Sequence, residues 1–218
     1  MSHQLKLALG ISAIVVFCLG FLVYFGILIK VRLIRKKYIH QDEQKLLMQL
    51  QQIRDDLGTL PYTLKEAFGS KAQDWDIEFL INTIYLNNYQ NVLLVSKYDN
   101  FVFAAISEKT KKSLFYLPDY FNGLNWNETV EKFPTQFHHQ PKIYSQQDLD
   151  CAIFYDGFNS NLEIFNNYYQ KLNDNGLLII NQKNIPSKEL KLFIATLKEK
   201  QIKWEIVFYK QKYLYIKK

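Results

Sequence analysis

The chain has 218 residues, 48% of them hydrophobic and 16% aromatic, which is enough apolar side chain to bury a core and excludes an intrinsically disordered protein. Its net charge of +6 is concentrated at one end: Lys6, Lys30, Arg32, Arg35, Lys36 and Lys37 fall in the first 37 residues with no Asp or Glu, leaving 21 basic and 21 acidic residues in the remainder. The remainder therefore lacks the basic footprint that phosphate-backbone binding requires, so nucleic acid is not an expected partner.

Leu7 to Ile29 runs 23 residues without a charge. At ~1.5 Å per residue it reaches roughly 34 Å, enough for the ~30 Å hydrocarbon core of a bilayer. A cleaved signal peptide has a shorter apolar region and a small-x-small cleavage site, and neither is present. The residues VVF before Cys18 also lack the small side chains of a lipoprotein site. Residues 1–37 are thus predicted to be a single-pass anchor in the cell membrane. One Lys precedes the span and five Lys or Arg follow it at 30–37, which places the C-terminal domain in the cytoplasm. The same cluster suits anionic headgroups, making the lipid bilayer the first expected partner. Two cysteines, Cys18 and Cys151, offer no disulfide framework, in keeping with a reducing compartment.

Residues 38–73 read as a helical stalk and linker. Ile39, Leu46, Leu50, Ile53 and Leu57 fit a heptad seam that Glu43 interrupts, so a stalk packed on the domain and a homodimer seam are both open. Gly58 and Pro61 end this helix. Thr63-Leu-Lys-Glu66 has the pattern of a capping box opening a short helix, and Asp74 is a candidate cap for the next, whose Ile77, Leu80, Ile81 and Ile84 form an apolar face.

Residues 74–218 are predicted to be one α/β domain. NVLLV at 91–95 starts the sheet, a helix follows over 100–109, and SLFYLPD forms a second strand ending at Asp119. A short helix over 127–133 and a brief strand over 142–145 come next. The centre of the domain is 149–182: the apolar run LDCAIFYDG, a helical pattern with Leu162, Phe165, Tyr169 and Leu172 closed by Asn175-Gly176, then LLIINQ. Two apolar strands flanking one helix make a βαβ unit and imply a parallel sheet. A helix over 187–200 and the strands KWEIVFYK and KYLYIK, with only Gln211 between them, complete the chain as an antiparallel hairpin.

This order resembles the class I S-adenosylmethionine-dependent methyltransferases over roughly residues 75–218. With its anchor, the chain is similar to small membrane-bound methyltransferase-like proteins of wall-less bacteria. The resemblance implies an α/β, Rossmann-like methyltransferase fold: a mostly parallel sheet with a C-terminal antiparallel β-hairpin, here preceded by one N-terminal transmembrane helix. It implies S-adenosylmethionine as cofactor, with Asp119 on the ribose and the Ser96–Asn100 loop, at Ser96, Tyr98 and Asn100, near the methionine. Asp156, ending the fourth strand before Gly157, is the catalytic candidate as an acceptor-side polar group. The acceptor would be a small molecule or a lipid-proximal substrate. A non-catalytic binding or scaffold module of the same fold, tethered to the membrane, is the alternative.

Three departures from that family bear on the chemistry. Ser96, Tyr98 and Asn100 stand where the family has a G-x-G-x-G loop, and a left-handed Tyr costs about 1–2 kcal/mol, so the loop must turn differently and the pocket is expected to be partly filled. Relatives that hold a divalent ion follow their fifth strand with Asp-Asn, but Asn181-Gln182 stands here, and Asn159 replaces a lysine base. A hard-cation site is thereby weakened, and no metal is expected. The third departure is the gap from Ser145 to Leu149, too short for a helix between strands three and four.

Structural roles are also open for these residues. Asp156 can cap the turn into the following helix, with Asn159 as the helix cap, and Asp119 after Pro118 can be a turn residue. His138 and His139 lie in a polar loop without metal spacing, and Cys151 fits packing.

Overall fold

The computed structural model describes residues 48–218 without a break, and before them residues 17, 20, 21, 24–27, 29, 30, 45 and 46, which are helical. Most of the span expected over 7–29, and the basic flank after residue 30, lie outside the described residues. Those that are described carry exposed apolar side chains, among them Phe17 and Phe21, whose rings stack 6.2 Å apart. Among the described residues no helix is long and apolar enough to cross a membrane.

Residues 56–218 form the second of two compact units. Its sheet grows from apolar runs too short for helices. β1 (Asn91–Val95), β2 (Ser113–Tyr116), β3 (Lys142–Ile143), β4 (Leu149–Phe154) and β5 (Leu172–Asn181) are parallel neighbours in the order β3-β2-β1-β4-β5. β1 and β4 pair Val92 with Cys151 and Val95 with Phe154, and both strands are buried on each face, as a parallel sheet covered by helices demands. β7 (Lys212–Lys217) then runs antiparallel to β5, and β6 (Lys203–Phe208) antiparallel to β7 at the edge. β6 therefore points the same way as β1–β5. The fold is an α/β, Rossmann-like arrangement with a mixed sheet, as the sequence predicts.

Six helices cover the sheet: α1 (Tyr62–Ala67), α2 (Asp74–Leu86), α3 (Asn100–Thr110), α4 (Gly123–Lys132), α5 (Asn161–Tyr168) and α6 (Ser187–Glu199). One face packs Ile77, Leu80, Ile84 and Phe101 to Ile106 against Val92, Leu94, Cys151 and Ile153. The other packs Ile164, Phe165, Leu190 and Phe193 against Leu93, Val95, Ala152 and Phe154. Cys151 is fully buried and its thiol pKa is pushed up by that burial, which fits packing.

Several local expectations need correction. Pro61, with φ −75°, occupies the cap position of α1 and its carbonyl accepts from Leu64 and Lys65 N–H, so the helix starts ahead of Thr63 and no capping box forms. Gln73 stands at the cap of α2, and Asp74 instead pairs with Lys65. Ser160, not Asn159, caps α5 by accepting from Glu163 N–H. Within the stretch expected as stalk and linker, Leu60, Leu64 and Ala72 are buried in the cluster over β1. α5 ends at Tyr168, and 172–176 is extended rather than helical. There Asn173 donates to Asp150, Asn175 sits at φ 64°, and a Cβ on Gly176 would come 2.8 Å from the Asn173 carbonyl. The first terminal strand ends at Phe208 rather than Lys210, because Asp76 on α2 takes the N–H groups of Lys210 and Gln211 at 3.2 and 3.3 Å, whereas KYLYIK forms β7 over its predicted length.

Candidate functional site

Strand order reverses between β1 and β4, and in open α/β sheets that switch point is where ligands bind, beyond the carboxyl ends of the strands. A cleft of about 300 Å³ opens there. Its walls are the Phe68–Ala72 segment before α2, Tyr98 and Asp99 after β1, Tyr155 and Asp156 after β4, and Asn181, Lys183, Asn184 and Gln211 beyond β5 and β6.

The loop after β1 owes its shape to Asp156. One carboxylate oxygen accepts the Lys97 N–H in a short bond and the Tyr98 N–H at 3.1 Å; the other accepts from Ser96 Oγ at 3.2 Å. Burial pushes the Asp156 pKa up, and the donors from Tyr98, Lys97 and Ser96 pull it back only in part. Ser96 Oγ also lies 2.9 Å from the Asp99 carbonyl. Asp99 caps α3 through Phe101 N–H and accepts from Ser70 Oγ at 2.6 Å, tying the loop to the Phe68–Ala72 wall. No residue from Ser96 to Asn100 has a positive φ. The loop thus turns without glycine, as the sequence requires, and an internal carboxylate takes the backbone donors that a glycine loop would turn toward a ligand.

The predicted site residues fall into three groups. Tyr98 and Asp156 line the cleft, and Tyr98 stands at the rim, 74% exposed, rather than filling it. Ser96 and Asn100 are buried beneath the loop, where the Asn100 side-chain amide donates to the Asn122 carbonyl at 2.7 Å and holds the start of α4. Asp119 lies in the single turn Pro118–Tyr120 after β2, exposed and outside the cleft lining. Beyond the ends of β1, β2 and β4 the chain's own side chains pack on one another. Lys97 Nζ sits 5.7 and 5.8 Å from the ring centres of Tyr98 and Tyr120, and Tyr120 stacks on Phe158 at 4.6 Å. Gly157, at φ 90°, makes room for this packing, because a Cβ there would meet Lys97 Cβ at 2.8 Å.

The residues in place of the family's metal ligands do not fit a hard cation. Asn181 donates to Gln211 and accepts the Lys183 N–H. Gln182 and Asn161 form a buried reciprocal amide pair at 2.8 and 3.1 Å, and Glu189 accepts both the backbone and side-chain N–H of Asn161. Every one of these groups is turned onto a protein partner. His138 meets Glu108, whose carboxylate also takes the N–H groups of His138 and His139.

Sequence reasoning missed the Phe68–Ala72 wall, Asp99, Tyr155, Lys183, Asn184 and Gln211 as parts of one site. Only Asp99 carried a legible signal, as an acidic residue just before a helix. The others gather only when the sheet forms.

No family model matches the chain, and neither does any curated protein sequence. Solved structures do share its fold. An O-methyltransferase from Bacillus cereus in complex with SAH superposes with a TM-score of 0.57 at 9% identity, covering 77% of this chain and 96% of that one. A methyltransferase from Geobacter sulfurreducens gives 0.51 at 15%, covering 72% and 85%. At these identities the likeness shows the fold alone, an α/β, Rossmann-like methyltransferase fold.

Proposed function

We propose that the protein is a membrane-anchored, S-adenosylmethionine-dependent methyltransferase. The cleft at the β1/β4 switch point carries this reading, because its walls include the two loops that in this topology receive a ligand. The Bacillus cereus neighbour, determined with SAH, supports the choice of cofactor. In this reading the methionine end of the cofactor lies by Tyr98 and Asp99, and Asp119 accepts from the ribose. Asp156 positions the loop. Methyl transfer needs chiefly an acceptor held in line with the sulfonium, so few catalytic side chains are required. The acceptor is a small molecule or a lipid-proximal one. A single span over 7–29 holds the domain at the cytoplasmic face, and the helix after it offers a seam for a homodimer, which chemical crosslinking of the full chain tests.

A specific observation favours a second reading, a non-catalytic binding or scaffold module. The Lys97 and Tyr98 backbone donors of the loop are already taken by Asp156, Asp119 lies outside the cleft lining, and Lys97, Tyr120 and Phe158 pack on one another beyond the ends of β1, β2 and β4. Titration calorimetry of the full chain with S-adenosylmethionine separates the two. Binding that is lost on Asp119→Ala supports the enzyme; the absence of heat at millimolar cofactor assigns the protein to the scaffold class.

A further inference from the structure

Nine large apolar side chains stand exposed in residues 56–218, and seven of them lie at the carboxyl edge of the sheet. The topology fixes this placement. Tyr98 follows β1, Ile143 ends β3, and Phe208 ends β6, after which comes Tyr209. Leu124 is in the first turn of α4, which Asn100 pins beside the β1 loop. Leu162 is in the first turn of α5, pinned through Asn161 to Gln182 at the end of β5. Trp75, 70% exposed, is in the first turn of α2, pinned through Asp76 to the turn after β6. Scattered exposed apolar residues are ordinary on a soluble surface, but a run of them from successive loops along one edge marks an interaction face.

The charges on this edge are sorted as well. Lys71, Lys97, Lys183 and Lys210 are exposed there. The carboxylates of Asp76, Asp99, Asp156 and Glu189 are turned inward onto protein donors and Asp74 is paired with Lys65, whereas Asp119 and Glu163 face solvent more freely. Aromatic side chains interleaved with lysines are what the headgroup layer of an anionic leaflet accepts: Trp and Tyr sit at its depth, and lysine stems lie along the apolar part with the ammonium in water.

We infer that the carboxyl edge of the sheet docks on the anionic bilayer surface, so that the cleft opens toward lipid headgroups. The uncharged stretch at 7–29, with its basic flank, supplies the reason for a bilayer rather than another occupant. This inference rests on the proposed anchor and not on the proposed cofactor, and its test contains no S-adenosylmethionine.

The three tryptophans, Trp75, Trp126 and Trp204, all lie in the domain, so quenching by brominated lipid in nanodiscs carrying one full-length chain reports docking alone. With anionic lipid present, loss of about a third of the emission is expected, because Trp75 is one of three and headgroup-level tryptophan reaches the bromines. The loss should shrink with salt and in purely neutral lipid, and disappear in Trp75→Phe, an exposed position whose circular dichroism should match the parent. The Lys71→Glu/Lys183→Glu double variant should weaken it. Quenching that survives Trp75→Phe, or none in any lipid, overturns the inference. Quenching that needs two chains per disc assigns the face to a second copy and overturns it too. A chain that does not enter the discs removes the anchor and the inference with it.

Discussion

Removing the Asp156 carboxylate is the most informative perturbation, because it separates a structural role from a ligand-binding one. In Asp156→Ala the Lys97 and Tyr98 N–H groups lose a charged acceptor, while Ser96 keeps the Asp99 carbonyl. Hydrogen bonds to a charged group contribute about 1.5–3 kcal/mol each. Two of them are at stake, but Lys97 and Tyr98 are exposed enough for water to replace part of the loss. Relief of a buried carboxylate offsets a further part, leaving a net cost of about 2–3 kcal/mol. For a domain of this size that lowers Tm by about 5–10 °C. Asp156→Asn retains an oxygen that can accept both N–H groups and should cost ~1 kcal/mol or less. The assay is thermal unfolding of the full chain in nanodiscs, followed by far-ultraviolet circular dichroism. The pH profile supplies an independent sign. A carboxyl whose folded pKa is raised binds more protons folded than unfolded, so its share of stability is present at low pH and lost as pH rises through the folded value. Asp156→Asn should remove that fall. An alanine variant melting within a degree of the parent would refute the loop-holding role.

Two further substitutions probe the neighbouring geometry. Gly157→Ala places a methyl 2.8 Å from Lys97 Cβ at a φ of 90° and should cost about 2–4 kcal/mol, read as a fall in Tm; an unchanged Tm would show that the Lys97–Tyr120 contact moves freely. Asp76 is fully buried with one oxygen unpartnered, and burial pushes its pKa up against the Gln211 and Lys210 donors. Asp76→Asn should therefore leave stability near pH 7 equal or higher by ~1 kcal/mol, and a drop larger than that in the denaturation midpoint would point to an unseen cationic partner.

The fold was legible because its signals are local and its central strands are largely apolar. NVLLV and LDCAIF are too short for helices and too apolar for loops, and they are β1 and β4. Boundaries failed wherever a distant group intervened. Asp76, 134 residues before Lys210, shortens the last hairpin, and Asp150 with Asn173 draws 172–176 out of the helix. The candidate site was legible only at its strand ends. That Tyr98 would turn without a left-handed residue followed from its side chain. That Asp156 would be the partner of this loop depended on the register between β1 and β4, which no local pattern in the sequence states.

The contact between Asp156 and Lys97 bridges 59 residues, the distance at which β4 comes back to lie beside β1. Closing a loop of that length costs chain entropy, and the meeting depends on the β1–β4 register from Val92 and Cys151 to Val95 and Phe154. An interaction made after the rate-limiting step leaves the speed of folding nearly untouched and acts on unfolding instead. If the Asp156 bond belongs to that class, the carboxylate is a latch, and Asp156→Ala should quicken unfolding while leaving the refolding rate nearly unchanged.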